Sequence, residues 1–465
     1  MTSSTSTLSL DASARCAQVS PGARVVCKFG GTSLANASQI RKVAQIVRAD
    51  ERRRFVVVSA PGKRDAQDQK VTDLLLTSWH LATQKLDYSQ PLRLIRERFN
   101  LMAHELGVAP VTWALDETAA ELEKLSRGDA STLAMRDWMA ARGEFLLALL
   151  VADFLGASFV PAGECVRFDE DGLLDSVTYQ NLAARVEGSQ DALFVVPGFY
   201  GRDFKGRIKT FPRGGSDITG AIVARAVGAE LYENWTDVPG LLMADPRVVQ
   251  NPRPIGEVTY RELRELAYSG ASVLHEETIF PASEANIPIH IRNTNEPGAT
   301  GTRILGTRDA SSPSIVGIAG RVGFSTISIE KAMMNQQRGF GRRVLEVFES
   351  HDVSWEHAPT GIDSMSIIVA DEQMGDKGAQ ILRELKRSLQ PDRIESEPGL
   401  ALIATVGEGM AYRIGVAGTL FEALKQAEVN VRMISQGASE INIIVGVDAD
   451  DYQRAVGAIY NAFVE

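Results

Sequence analysis

Two glycine turns constrain this chain more than anything else in it. Lys28-Phe29-Gly30-Gly31-Thr32-Ser33 closes an apolar run from Arg24 to Phe29, and Arg213-Gly214-Gly215-Ser216-Asp217 comes after a second run from Leu193 to Gly198. Each run reads as a buried strand, and each turn leads into a helix-like pattern. Glycines there let the backbone approach a bound anion, and a helix N-terminus adds unpaired N–H groups and a partial positive charge. One cradle carries a lysine, the other an arginine and an aspartate, which suits a nucleotide phosphate meeting a charged acceptor. Neither is a Walker loop, because the lysine precedes its glycines, and neither is a dinucleotide fingerprint.

Strand-like runs at Val25 to Phe29, Phe55 to Val58, Phe159, Leu193 to Val196, Leu231 to Trp235 and Ile289 to Ile291 alternate with helix-compatible stretches. That alternation predicts βα units and a mostly parallel sheet. Val71 to Leu155 differs, with apolar residues at helical spacing and almost no strand signal, and reads as a helical insertion. Turn residues cluster at Asn295 to Thr302 and again at Ser311 to Ser314, where a first domain should end.

Beyond that linker the chain repeats itself. Gly339 through Val369 aligns without a gap on Gly415 through Val445, a constant offset of 76 (415 − 339). Each copy reads as helix, turn, strand, turn, strand and a further helix. With Ile315 to Ile318 and Ala401 to Val406 as leading strands, the order approximates the ferredoxin-like βαββαβ unit. The expected organisation is a flexible extension over 1–23, a catalytic domain over 24–305 with the insertion at about 71–155, and two modules over 315–390 and 400–465.

Composition excludes more than it selects. A formal charge of −10 argues against nucleic-acid binding, which needs a basic face. Cys16, Cys27 and Cys165 are an odd number without CxxC spacing, so neither a disulfide framework nor a zinc site is expected and a reducing cytoplasm fits. No apolar run approaches the roughly 18 residues of a membrane span, and the Ser/Thr-rich head lacks the apolar core of a secretory signal. The six histidines show no ligand or triad spacing.

The two glycine turns belong to a longer series of motifs in order. Val58-Ser59-Ala60, Arg142-Gly143-Glu144, Trp235-Thr236-Asp237-Val238, Asp245-Pro246-Arg247, Ala267-Tyr268-Ser269-Gly270-Ala271, Val273-Leu274-His275 and Ile291-Arg292-Asn293-Thr294 complete it. The set resembles the signature of the aspartate kinases from about Arg24 to the C-terminus. The resemblance implies an α/β fold, an open, mostly parallel amino-acid-kinase sheet with helices on both faces, followed by two ferredoxin-like ACT modules. It implies ATP-dependent phosphorylation of the β-carboxylate of L-aspartate to 4-phospho-L-aspartate, the first step of the lysine, threonine and methionine branch. The second repeat reaches the end of the sequence, so a monofunctional enzyme is expected. Another amino-acid kinase of the same fold, or an inactive amino-acid sensor, is the alternative; a sensor usually loses the phosphate-handling charges, and Lys28, Arg213 and Asp217 are all present.

By the same resemblance, Glu144 faces the substrate ammonium and Arg213 forks onto the α-carboxylate, with Ser59, Thr72, Gly214, Gly215 and Ser216 completing the aspartate site. Seen alone, Glu144 could be a glutamate in a helix's first turn and Asp217 an N-cap, and the N-cap role can coexist with a catalytic one. Lys28 is the candidate for holding charge on the transferring phosphoryl group, and Asp217 for orienting Lys28. No general base is needed, because a carboxylate with a reference pKa near 4 is already ionised. The nucleotide pattern falls on Lys28, Gly30, Gly31, Ser33, Thr236, Asp237, Leu242 and Arg247. Leu242 and Ser272 stand where many members carry tyrosine and lysine. Magnesium is expected with the ATP, bound mainly through phosphate oxygens and water, with no protein ligand nominated.

The repeats suit an amino-acid effector, lysine by preference. Glu356 and Asp363 flank the turn of the first copy, while the second has Arg432 and Ser439. Met334, Gly339, Phe340 and Thr360 are the remaining effector candidates, Gly339 and Phe340 offering a helix N-terminus to a carboxylate. An exposed module edge predicts self-association as a homodimer or homotetramer. No nucleic-acid or membrane partner is expected.

Overall fold

The computed structural model describes residues 24–129, 132–187, 193–212, 214–271, 276–309 and 313–464. The expected extension over 1–23 lies outside them.

The apolar runs do form the expected strands, and their burial explains why they are nearly continuous in hydrophobic residues. The strands of the first half are β1 (Val25–Phe29), β2 (Arg53–Val58), β3 (Ser158–Phe159), β4 (Phe194–Pro197), β5 (Tyr200–Arg202), β6 (Ile208–Thr210), β7 (Leu231–Thr236), β8 (Glu257–Thr259), β9 (Ile289–Asn293) and β10 (Thr302–Leu305). Eight of them form one sheet in the order β3-β4-β2-β1-β7-β9-β10-β8, while β5 and β6 make a separate hairpin. Six neighbours from β3 to β9 run parallel, and β10 turns antiparallel against β9. One core lies on each face, which is the requirement of a buried parallel sheet.

Val71 to Leu155 carries the helices Val71–Thr83, Ser89–Leu106, Thr112–Arg127 and Thr132–Leu155 and, among the described residues, no strand. From β1 the chain moves one way to β2 and later enters β7 on the other side, so the strand order reverses between β1 and β7. Ligands of open α/β sheets bind at such a point, beyond the carboxyl ends of the strands.

The second half is a five-stranded antiparallel sheet of β11 (Gly317–Glu330), β12 (Ser364–Ala370), β13 (Arg393–Val406), β14 (Val431–Ser435) and β15 (Asn442–Asp448), in the order β12-β11-β13-β15-β14. The repeat is visible in it: helices Phe340–Ser350 and Val416–Gln426 both start after a left-handed glycine, Gly339 (φ 73°) and Gly415 (φ 92°).

The linear division of the modules does not describe the pairing. β11 and β13 lie antiparallel over almost their whole lengths. Residues 317–322 pair with 401–406, which in turn pair with β15, so this segment serves the second module; only 324–330, paired with β12, leads the first. The crossover is marked by an irregular register at Gly323 (φ 91°), with Gly399 (φ 84°) opposite in β13. Ile315 to Ile318 therefore are not the leading strand of the first copy. A strand offered by sequence has two free edges, and the better apolar partner was 401–406.

Candidate active site

Lys28 is the fourth residue of β1 and pairs in register with Asn234 of β7, so both side chains emerge on the same side at the point where strand order reverses. Lys28 Nζ lies 2.7 Å from Asp217 Oδ1 and donates to Asn234 Oδ1 at 3.3 Å, while Asn234 Nδ2 donates to the same Asp217 oxygen at 2.7 Å. Lys28 and Asn234 are buried and Asp217 is partly so. Asp217 sits in the first turn of the helix Gly215–Ala226, whose N-cap is Gly214 (φ 54°) without a side-chain cap. Its carboxylate is thus not an N-cap. It holds a lysine beside a helix N-terminus, where two positive sources face the same space.

The first glycine turn is divided in purpose. Among the described residues a side chain at Gly30 would meet only Trp235 O at 3.6 Å and Lys28 Nζ at 3.7 Å, so its space opens beside the lysine. At Gly31 a Cβ would stand 2.8 Å from Ala60 O, and at Gly62 one would stand 2.6 Å from Gly31 C; there the glycines admit backbone to backbone rather than an anion. Gly62 N–H donates to Gly31 O at 2.7 Å. Buried Arg98 ties this loop down through Ala35 O at 2.9 Å, Gln69 O at 3.1 Å and Gly62 O, and pairs with Asp68 at 3.3 Å. Ser33, expected at the nucleotide, is buried with its hydroxyl 2.7 Å from Thr294 Oγ1.

Successive residues of a helix point about 100° apart, and the Arg142-Gly143-Glu144 motif divides accordingly. Arg142 is turned outward from the loop, bonded to Ala114 O (2.7 Å), Thr118 Oγ1 (3.1 Å) and Glu117 (2.8 Å), with its guanidinium over Trp138 and Phe145. At Gly143 a Cβ would stand 2.7 Å from Ala60 Cβ. Glu144 is 5% exposed and accepts a hydrogen bond from Ala60 N–H, but its Oε2 has no partner among the described residues. Burial pushes the carboxyl up to about 8, against the opposing pull of the Ala60 and Glu144 N–H groups. A buried acid without a counter-charge is costly to ionise, and a ligand cation would relieve it.

Ser59 directly follows β2 with its N–H on Phe29 O at 3.3 Å, Thr72 lies in the first turn of Val71–Thr83, and Ser216 is buried against Gly198. Arg213 and Ser272 lie outside the described residues. Lys28, Asp217, Thr236, Leu242 and Arg247 line one cavity of about 530 Å³. Asp237 stands next to it, accepting from Thr236 Oγ1 at 3.2 Å. Arg247 reaches Asp245 at 2.6 Å. Asn234 and Arg98 were not singled out from the sequence, although a polar pair, Glu233-Asn234, inside an otherwise apolar strand is a usable signal.

Of the effector candidates, Met334 and Phe340 are buried in the first module, and Gly339, Thr360 and Asp363 are exposed around one end of it. Glu356 does not join them. It is placed beside Ile368 while Thr360 pairs with Met365, about 10 Å along the strand. Its carboxylate accepts from Tyr268 of the catalytic half at 2.7 Å and faces Arg321 at 3.5 Å.

The amino acid kinase family pattern matches residues 23–293, and an ACT domain pattern matches 403–463. Aspartokinase 3 of Bacillus subtilis is 41% identical over 94% of this chain and 98% of its own. The chain belongs to the aspartate kinases. The Clostridium acetobutylicum aspartate kinase structure matches this kinase with a TM-score of 0.87 at 44% identity, covering 94% of this chain and all of the other. Escherichia coli aspartokinase III is more distant at 28% and 27% identity, with TM-scores of 0.71 solved with aspartate and ADP and 0.70 solved with lysine and aspartate, each covering 95% of this chain and all of the other. Among the described residues of the kinase no helix is long and apolar enough to cross a membrane.

Proposed function

We propose that this kinase makes 4-phospho-L-aspartate from L-aspartate and ATP, opening the lysine, threonine and methionine branch, with the roles of its residues as follows. A β-carboxylate oxygen of aspartate attacks the γ-phosphorus; the bond from that phosphorus to the β,γ-bridging oxygen breaks, and ADP leaves with the electron pair. The nucleophile is already an anion, so catalysis consists of positioning and charge stabilisation. Lys28 holds charge on the transferring group, and Asp217 and Asn234 fix its direction. Glu144 takes the ammonium, Arg213 the α-carboxylate, and Ser59, Thr72 and the Gly214-Gly215-Ser216 turn close the site. Thr236, Asp237, Leu242 and Arg247 border the nucleoside.

The observation that carries this reading is the Lys28–Asp217–Asn234 cluster, at 2.7 to 3.3 Å, at the strand-order reversal. Mg²⁺ arrives with the ATP, bound mainly through phosphate oxygens and water. Buried, free Cys27 and Cys165 suit the cytoplasm. Lysine acts at the first module near Gly339, Thr360 and Asp363, in a homodimer or homotetramer formed through the modules; the lysine complex of the Escherichia coli relative supports the effector. Incubation with MgATP and a panel of amino acids, trapping acyl phosphate with hydroxylamine, tests the activity: aspartate alone should yield the hydroxamate, and another preferred acceptor overturns the substrate.

A further inference from the structure

The cavity that takes Lys28 and Asp217 is not closed by the catalytic half. Its walls include Ile318, Ala319 and Gly320 of β11 and, from the last helix of the chain, Tyr452 and Val456. Tyr452 is the one aromatic ring among the described lining residues. Its hydroxyl donates to Gly320 O at 2.8 Å, and a Cβ at Gly320 would stand 2.8 Å from Tyr452 Cε2. The ring therefore packs against backbone that bears no side chain, and it is held at both its edge and its tip. The charged groups Lys28 and Asp217 gather where β1 and β7 end, whereas the lining from β11 and the last helix is apolar apart from this tyrosine.

A nucleoside triphosphate has the same division: a polyanionic tail and a flat base whose faces are poorly hydrated. With the tail drawn to Lys28, the base needs a π-face, and base stacking on an aromatic side chain changes affinity by about 5- to 150-fold, 1–3 kcal/mol at 1.4 kcal/mol per tenfold. We propose that Tyr452 is the base-stacking wall of the nucleotide site, so that the regulatory half completes a site whose phosphate end belongs to the catalytic half. The proposal rests on the nucleotide reading of this cavity. It makes nucleotide affinity depend on how the last helix sits against the strands β7 to β10, and by linkage makes nucleotide favour one placement of the modules.

The test uses the full chain and calorimetric titration with ADP and, separately, inorganic tripolyphosphate. Tyr452→Ala should weaken ADP about 5- to 150-fold, leave tripolyphosphate unchanged and leave the KM for aspartate unchanged. Tyr452→Phe keeps the ring and should bind ADP like the wild type, while Tyr452→Leu keeps the volume without the π-face and should behave like Tyr452→Ala even if the alanine variant folds poorly. Equal ADP affinity in wild type and Tyr452→Leu overturns the proposal, as does an equal loss of tripolyphosphate. A wild type that binds tripolyphosphate but no ADP overturns the nucleotide reading together with it.

Discussion

Replacing Glu144 by glutamine isolates what its charge does. In the free protein the carboxyl titrates at about 8 because it is buried, with one oxygen unpartnered among the described residues, so at pH 7 roughly one molecule in eleven carries the anion. If aspartate's ammonium requires that anion, binding at pH 7 costs about 1.4 kcal/mol of deprotonation and releases about one proton. Aspartate affinity should then rise roughly tenfold between pH 6 and 7 and level off above 8. Folding responds in the opposite direction. The folded pKa lies above the ordinary value of 4.5, so the folded chain holds a proton that the unfolded chain has lost, and the group's stabilisation is complete below pH 4.5 and declines as pH rises through about 8. The 3.5-unit span (8 − 4.5) sets that loss on the order of 5 kcal/mol. Glu144→Gln should abolish both slopes, fold at least as stably as the wild type at pH 8.5, and bind aspartate worse by roughly 2–5 kcal/mol there. Calorimetry in two buffers of different ionisation enthalpy measures the proton count, and urea melts measure stability. A wild type whose aspartate affinity is flat from pH 6 to 8 without proton release, or a glutamine variant with normal aspartate affinity, would refute the assignment of Glu144 to the ammonium.

Lys28→Ala should lower kcat by on the order of 10² to 10³, the scale of one lost preorganised donor, and a variant with wild-type turnover removes Lys28 from the chemistry. Glu233, 3% exposed between Arg53 (2.8 Å) and Arg292 (3.2 Å), is pushed up by burial but held lower overall by the Arg53 pair. Glu233→Gln would leave two partly buried guanidinium groups without their carboxylate and should cost up to roughly 3–5 kcal/mol in urea unfolding; a loss under 1 kcal/mol would mean that water reaches them. For regulation, Asp363→Ala should weaken lysine inhibition by direct loss of a charge, whereas Glu356→Ala, which severs the bond to Tyr268, should leave lysine binding intact and alter its effect on activity; titrations of binding and of inhibition, compared side by side, separate the two, and lysine binding lost in Glu356→Ala would return that residue to the effector site.

Much of the fold was legible because it rests on local rules. The glycine turns, the buried runs of β1, β2, β4, β7 and β9, and the helical spacing from Val71 to Leu155 all obey short-range periodicities, and the offset of 76 reappears in two helices with matching left-handed starts. The hairpin β5–β6 and the short strands β8 and β10 were not legible, being three or four residues each, too short for a periodic signal. Within the site, residue types and order pointed to Lys28, Asp217 and Glu144, but nothing in the spacing revealed that Asn234 would bond to both of the first two.

The sequence by itself determined the strand-turn-helix units, the repeat and the charges available for phosphate and amino acid, since these depend on residues a few positions apart. Only the tertiary structure decided which edge residues 317–322 would take, that Gly31 is needed for contact with Gly62, that Glu356 meets Tyr268 of the catalytic half, and that Tyr452 enters the cavity of Lys28. Each of those is a contact between distant segments, settled by which surfaces remain to be buried once the local elements exist. A periodicity carries no record of that competition.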